Sequence, residues 1–194
     1  MMIIFTGCKE SGEMIKKGDS QKMAENKQSE EAISRPQVLL KTDYGDIVIE
    51  LRPDKAPKTT ENFLKLTNEG FYDDLTFHRI IKGFMIQGGD PKGDGTGGPG
   101  YTVPAEITDL KHVRGALATA RLGDQANPQK ASSGSQFFIC HQAATHLDGQ
   151  YTVFGSVVKG IDVVDKIANV PMADPRMGRP QKPVNILKVE VISK

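Results

Sequence analysis

A mostly-β fold is predicted by three observations. The 194 residues include 20 glycines and 11 prolines, a turn-rich composition. The strongest apolar runs are short and bounded by glycine: Phe77 to Ile81 and Phe84 to Gln87 are broken by Gly83 and closed by Gly88-Gly89. Helical spacing of apolar residues occurs in only two stretches, around Phe63 and around Val164. A chain of this length is enough for one domain with a proper core and a tail.

The elements follow in order. Val38 to Thr42 and Ile47 to Leu51 are read as strands joined by a hairpin turn at Asp43-Tyr44-Gly45-Asp46. Ala56 to Gly70 is read as a helix. Pro57 suits its first turn, Phe63 and Leu66 share one face, and Gly70 is a natural stop. The Phe77–Ile81 and Phe84–Gln87 strands come next. Gly93-Asp94-Gly95-Thr96-Gly97-Gly98 has the G-x-G-x-x-G spacing, but Pro99-Gly100 stands where a phosphate site needs a helix N-terminus. It is read as a glycine loop.

Val113 to Ala120 is a further strand, edged by Arg121, and Leu122 to Ser132 a polar loop. In Ser133 to Cys140, alternation puts Gln136 and Phe138 on one face and Phe137 and Ile139 on the other. Gln142 to Asp148 is read as a loop, and Tyr151 to Val158 as a strand. Ile161 to Ala168 has the spacing of a short helix, Pro171 to Pro183 is read as a loop, and Asn185 to Ile192 alternates like a closing strand. About eight strands and two helices emerge.

Ahead of this domain, placed at 38–194, lie two segments. Residues 1–8 are apolar and end in Thr6-Gly7-Cys8, which resembles the lipobox of bacterial lipoproteins, where the cysteine is acylated. The apolar run is short for an export signal and no basic residue precedes it, as a start assigned too far downstream would explain. Residues 9–37 form a polar stretch with six acidic and six basic residues and no aromatic, the composition of a disordered tether. The expected location is the cell envelope, with membrane anchoring through Cys8; the alternative is the cytoplasm.

Composition narrows the function. The net charge of +1 offers no field for nucleic acid, and no apolar run is long enough to cross a membrane as a helix. Cys8 and Cys140 lie in such different contexts that a structural disulfide is not expected. The four histidines, His78, His112, His141 and His146, lack metal-ligand spacing, and Ser135 lacks a nucleophile elbow, so no metal or cofactor is expected. On the opening strands, Arg79 points away from His78 and Ile80, while Met85 and Gln87 share a face. One cation, one amide and soft apolar side chains together suit a polar backbone carrying an apolar side chain.

Phe77-His78-Arg79-Ile80-Ile81-Lys82-Gly83-Phe84-Met85-Ile86-Gln87-Gly88-Gly89-Asp90 resembles a signature of the cyclophilins, the peptidyl-prolyl cis–trans isomerases. So do Ser133 to Cys140, Leu147-Asp148-Gly149 and Phe154-Gly155, in the family's order from about Val38 onward. The resemblance implies a closed eight-stranded antiparallel barrel capped by two helices. It implies an enzyme that rotates X–Pro bonds in proline-containing peptides and in unfolded or nascent proteins. A monomer is expected. The alternative is a peptide-binding or chaperone module on the same scaffold with little turnover.

By the same resemblance Arg79 and Gln87 are the catalytic pair, Arg79 acting on the amide and Gln87 orienting it and holding the substrate backbone. Phe84, Met85, Phe138 and Leu147 form the proline pocket, with Tyr151 and Phe154 completing its wall. Ala120, Arg121 and Gln136 line the channel for residues preceding the proline. Three positions depart from the best-known members. His146 stands in place of a tryptophan, Tyr151 of a histidine and Arg121 of an asparagine. His146 is read as a rim residue.

Overall fold

The computed structural model describes residues 35–193. The Cys8 lipobox and most of the polar stretch lie outside the described residues. Strands β1 (Gln37–Thr42) and β2 (Gly45–Leu51) form the expected hairpin. Its corner is Asp43-Tyr44, held by the Thr42 hydroxyl, which donates to the Gly45 carbonyl at 2.7 Å and accepts the Tyr44 N–H at 3.1 Å. Gly45 sits at φ +125°, in a region that disfavours side chains.

Helix α1 (Pro57–Asn68) begins at its proline, as read. Its N-cap residue, Ala56, has no side-chain oxygen to offer. Glu106, distant in sequence, caps it instead: its carboxylate accepts the N–H of Lys58 at 3.1 Å and of Thr59 at 2.8 Å. Helix α2 (Ile161–Ala168) buries Val163, Val164, Ile167 and Ala168.

The remaining strands are β3 (Leu75–Thr76), β4 (Arg79–Ile81), β5 (Met85–Gly88), β6 (Thr102–Val103), β7 (Ala116–Thr119), β8 (Ser132–Ser133), β9 (Phe137–Cys140), β10 (Val153–Lys159), β11 (Met172–Asp174), β12 (Arg179–Pro180) and β13 (Asn185–Ser193). Nine of these thirteen strands, β1 and β2 included, make one antiparallel sheet in the order β3-β13-β1-β2-β10-β7-β9-β5-β4, and β6–β8 and β11–β12 are separate ribbons. Period two gives the main sheet two buried faces. Leu117, Ile86, Phe137 and Ile139 join the main core beneath both helices, while Ala116, Ala118, Met85 and Phe138 join a smaller cluster on the other face.

The closed eight-stranded barrel is corrected to a curled half-barrel, an open sheet of nine strands. Its end strands, β3 and β4, are joined only through Phe77-His78. The donors that could ladder them together are used elsewhere. Phe77 N–H donates to the Val184 carbonyl at 2.9 Å, and Ile80 N–H to the Gly178 carbonyl at 2.7 Å. That second bond belongs to the β11–β12 hairpin, which stands where a plain loop was expected.

Candidate functional site

The groove lies on the smaller cluster's side of β4, β5, β9 and β7, with a cavity of about 600 Å³. Antiparallel pairing places Arg79 directly opposite Gln87, and Gln87 opposite Phe138. Cation, amide and aromatic ring therefore come to one surface from three neighbouring strands.

Arg79 donates through a terminal guanidinium nitrogen to Gln87 Oε1 at 3.2 Å. Gln87 Nε2 donates to Gln136 Oε1 at 3.0 Å, and Gln136 Nε2 donates to the carbonyls of Gly95 at 3.1 Å and Gly97 at 2.8 Å. This relay fixes which way each amide points. It leaves the rest of the Arg79 fork directed at the groove, whose lining it joins.

Beside it is an apolar pocket of Phe84, Met85, Phe138, Leu147 and Tyr151. Phe138 meets Tyr151 edge-on, with ring centres 6.1 Å apart, and stacks on His112 at 6.0 Å. His112 is 0% exposed, and its Nδ1 lies 3.0 Å from an Asp148 oxygen that also accepts the His112 backbone N–H at 2.9 Å. Burial pushes the His112 pKa down, and Asp148 only partly opposes this. A neutral ring thus backs the pocket.

Ten of the candidates behave as follows. Arg79, Gln87, Phe84, Met85, Phe138, Leu147, Tyr151, Ala120 and Arg121 all line the cavity. His146 is exposed and lies 5.6 Å from the Phe84 ring, at the rim. The other assignments need correction. Phe154 is 1% exposed and packs on Phe63 in the main core, so it forms no part of the pocket wall. Strand alternation is the reason: Val153 takes the groove-side face and Phe154 the opposite one.

Gln136 is buried behind the groove as a member of the relay. Arg121 lines the cavity, but its side chain is only 6% exposed. It lies 4.5 Å from the Tyr151 ring centre and donates to the Gln150 and Leu122 carbonyls and to Asp124. It serves the protein's own wall first.

Sequence reasoning missed several lining residues. His78, Asp94, Asp174, Met177 and Arg179 all face the cavity. Both ring nitrogens of His78 are buried without a hydrogen-bond partner. Burial lowers its pKa, against the opposing pull of Asp90, so near neutral pH it adds no second charge beside Arg79. The glycine loop also gains an explanation. Asp90 accepts the N–H groups of Lys92 at 2.8 Å, Asp94 at 3.2 Å and Gly95 at 2.5 Å.

Burial works against Asp90 ionisation, but these donors outweigh it and hold the carboxyl below its usual range. A Cβ at Gly97 would fall 2.0 Å from Asp90 Oδ1, so only glycine fits there. The loop's donors close on an internal carboxylate, a use that the bare G-x-G-x-x-G spacing does not reveal.

Comparison with known proteins agrees with this geometry. A family model described as cyclophilin type peptidyl-prolyl cis-trans isomerase/CLD matches residues 37–191. Among curated proteins, a peptidyl-prolyl cis-trans isomerase of Synechococcus elongatus is 46% identical over 142 residues, 69% of this chain and 94% of that protein. Peptidyl-prolyl cis-trans isomerase-like 2 of Rhizopus delemar is 47% identical over 155 residues. That match takes in 77% of this chain but only 28% of the fungal protein.

Among solved structures, a cyclophilin type isomerase of Cryptosporidium parvum superposes with a TM-score of 0.76 at 35% identity, covering 83% of this chain and 99% of that one. The same protein was also solved in the presence of the dipeptide Ala-Pro, with a TM-score of 0.74. With the family's match running through every strand of the groove, the chain belongs to the cyclophilin-type peptidyl-prolyl cis–trans isomerases.

Proposed function

We propose that this groove accelerates rotation about X–Pro bonds by stabilising the twisted amide, and that it does so to assist protein folding. The uncatalysed barrier is about 18–20 kcal/mol because the amide C–N bond has partial double-bond character. No covalent bond breaks, so neither nucleophile nor metal is needed. Rotation out of plane ends the resonance and returns the lone pair to nitrogen. A fixed cation there is worth more to the twisted state than to either planar one.

The observation that carries this reading is Arg79, held by Gln87 at 3.2 Å beside a pocket of apolar side chains. Phe84, Met85, Phe138 and Leu147 would seat the ring, and residues preceding the proline would pass over Ala120 and Arg121. The crystal structure of the Cryptosporidium relative in the presence of the dipeptide Ala-Pro supports a proline-containing peptide as ligand. Purified full-length protein should accelerate exchange of an Ala-Pro peptide without added metal or nucleotide. Exchange at the uncatalysed rate, with the peptide still bound, would make it a binding module.

Thr6-Gly7-Cys8 and the polar stretch behind it support a second proposal, a lipid-anchored envelope protein. Protein expressed from its native locus should then sediment with membranes, incorporate labelled fatty acid, and become soluble on Cys8→Ser. A soluble, unlabelled native product would place it in the cytoplasm.

A further inference from the structure

The β11–β12 hairpin is not part of the catalytic pair or the proline pocket, yet it forms one end of the same cavity. Asp174, Met177 and Arg179 line it there, and the glycine loop, Ala120 and Arg121 supply other parts of its lining. The hairpin is held firmly to the strand that carries Arg79. Ile80 N–H donates to the Gly178 carbonyl at 2.7 Å. Gly178 has φ +75°, and a Cβ there would meet the Ile80 carbonyl oxygen at 2.9 Å and Arg79 Cγ at 3.1 Å. The tip is further shaped by Asp174 Oδ1, which accepts the N–H of Arg176 at 2.9 Å and of Met177 at 3.1 Å.

Two side chains are left for a ligand. Met177 is 70% exposed, flexible and polarisable, suited to an apolar stem of variable shape. Arg179 is exposed as well. Arg52, Arg114 and Arg121 are paired with Asp54, Asp165 and Asp124, whereas Arg179 forms no ion pair among the described residues. Asp174 is the nearby opposite charge, in register with Arg179 across the ribbon. Asp94 lines the cavity from the glycine loop, so two carboxylates match Arg79 and Arg179 in number, and what sets Arg179 apart is its exposure without an ion pair among the described residues.

We infer that Arg179 is a specificity-determining residue, and that this end of the groove selects peptides with a carboxylate side chain on the residue following the proline. The inference rests on the reading above, in which residues preceding the proline pass over Ala120 and Arg121. A peptide crossing Arg79 from that side leaves over the hairpin. Met177 then contacts the methylene stem and Arg179 the acid, as a solvent-exposed pair whose attraction is screened by salt.

The test uses full-length protein and matched peptides with Ala before the proline and Glu, Gln or Lys directly after it. Wild-type kcat/KM should favour Glu over Gln by about two- to fivefold at low salt, as for an exposed ion pair, and Lys should rank last. The Glu preference should shrink in half-molar salt. Arg179→Gln should bring the Glu-to-Gln ratio near one, and Arg179→Glu should turn the preference towards Lys.

A Glu preference that survives Arg179→Gln overturns the inference. So does a preference that appears only when the acid precedes the proline. No turnover of the Gln peptide by the wild type would instead defeat the underlying isomerase reading, so the two failures are distinguishable.

Discussion

Gln87→Leu isolates what the relay contributes. The substitution removes the acceptor that Arg79 uses at 3.2 Å and the donor that Gln136 receives at 3.0 Å. A hydrogen bond to a charged group contributes about 1.5–3 kcal/mol, which sets a ceiling of about 10- to 150-fold on catalysis. Arg79 keeps its charge and its place on β4, losing orientation only. The expected fall in kcat/KM is therefore near the lower bound, about tenfold. Gln136 is buried, and an unpaired buried acceptor costs about 1–3 kcal/mol, so the unfolding midpoint should drop too.

Gln87→Glu separates positioning from charge. A carboxylate would grip Arg79 firmly but neutralise the cation that the twisted amide needs. It would also set an acceptor against Gln136 Oε1, and Gln136 cannot turn over without breaking its bonds to the Gly95 and Gly97 carbonyls. The Glu variant should consequently be slower than the Leu variant. Peptide-exchange kinetics at several substrate concentrations, with thermal unfolding alongside, would measure both. A Leu variant with wild-type kcat/KM, or a Glu variant faster than wild type, would refute the relay.

Two other outcomes follow from particular rings. His146 sits at the rim, 5.6 Å from Phe84, where the best-known cyclophilins carry a tryptophan whose indole N–H is expected to hold cyclosporin. His146→Trp should tighten inhibition by about 5- to 150-fold, the worth of one hydrogen bond and its contact; equal affinities in drug titration would remove His146 from that contact. Burial depresses the His112 pKa below the ordinary 6.5, so the unfolded chain binds the proton more readily than the folded one. The stability this contributes is complete above about pH 6.5 and is lost as pH falls from there towards the folded value. Urea midpoints at pH 7.5 and 5.5 should differ less in His112→Phe than in the wild type; an unchanged difference would clear His112 of that role.

The parts of this architecture legible in the sequence are those where one local rule decides the outcome. Alternation alone separated Phe138 from Phe137, because β9 is buried on both faces and each ring must choose one. Pro57 marked the start of α1, and helical spacing placed α2 from Ile161 to Ala168. The same alternation, applied through Val153, would have sent Phe154 to the main core; the motif resemblance drew it to the groove instead.

Other features depend on partners remote in sequence. The family resemblance points Arg121 at substrate, but Tyr151, Gln150 and Asp124 claim its guanidinium. Glycine and proline around Pro175, Gly178 and Pro180 signal a loop, and nothing local shows that Gly178 will accept a hydrogen bond from Ile80. That one bond brings the hairpin to the groove and leaves the sheet open at β4. The glycine loop was similarly opaque, since its meaning lies in Asp90.

The central claim is that a fixed Arg79 charge stabilises the twisted amide, and Arg79 substitution tests it most directly. Rates of cis–trans exchange should be measured for Arg79→Ala and Arg79→Lys beside the wild type, with thermal unfolding to confirm that each is folded. The account predicts a loss of about 10²–10³-fold for alanine, comparable to removing one preorganised donor from an oxyanion site. Lysine should recover only part of this, because a point charge cannot both bond Gln87 and present a planar fork to the amide. A folded alanine variant that exchanges the peptide at the wild-type rate would contradict the account.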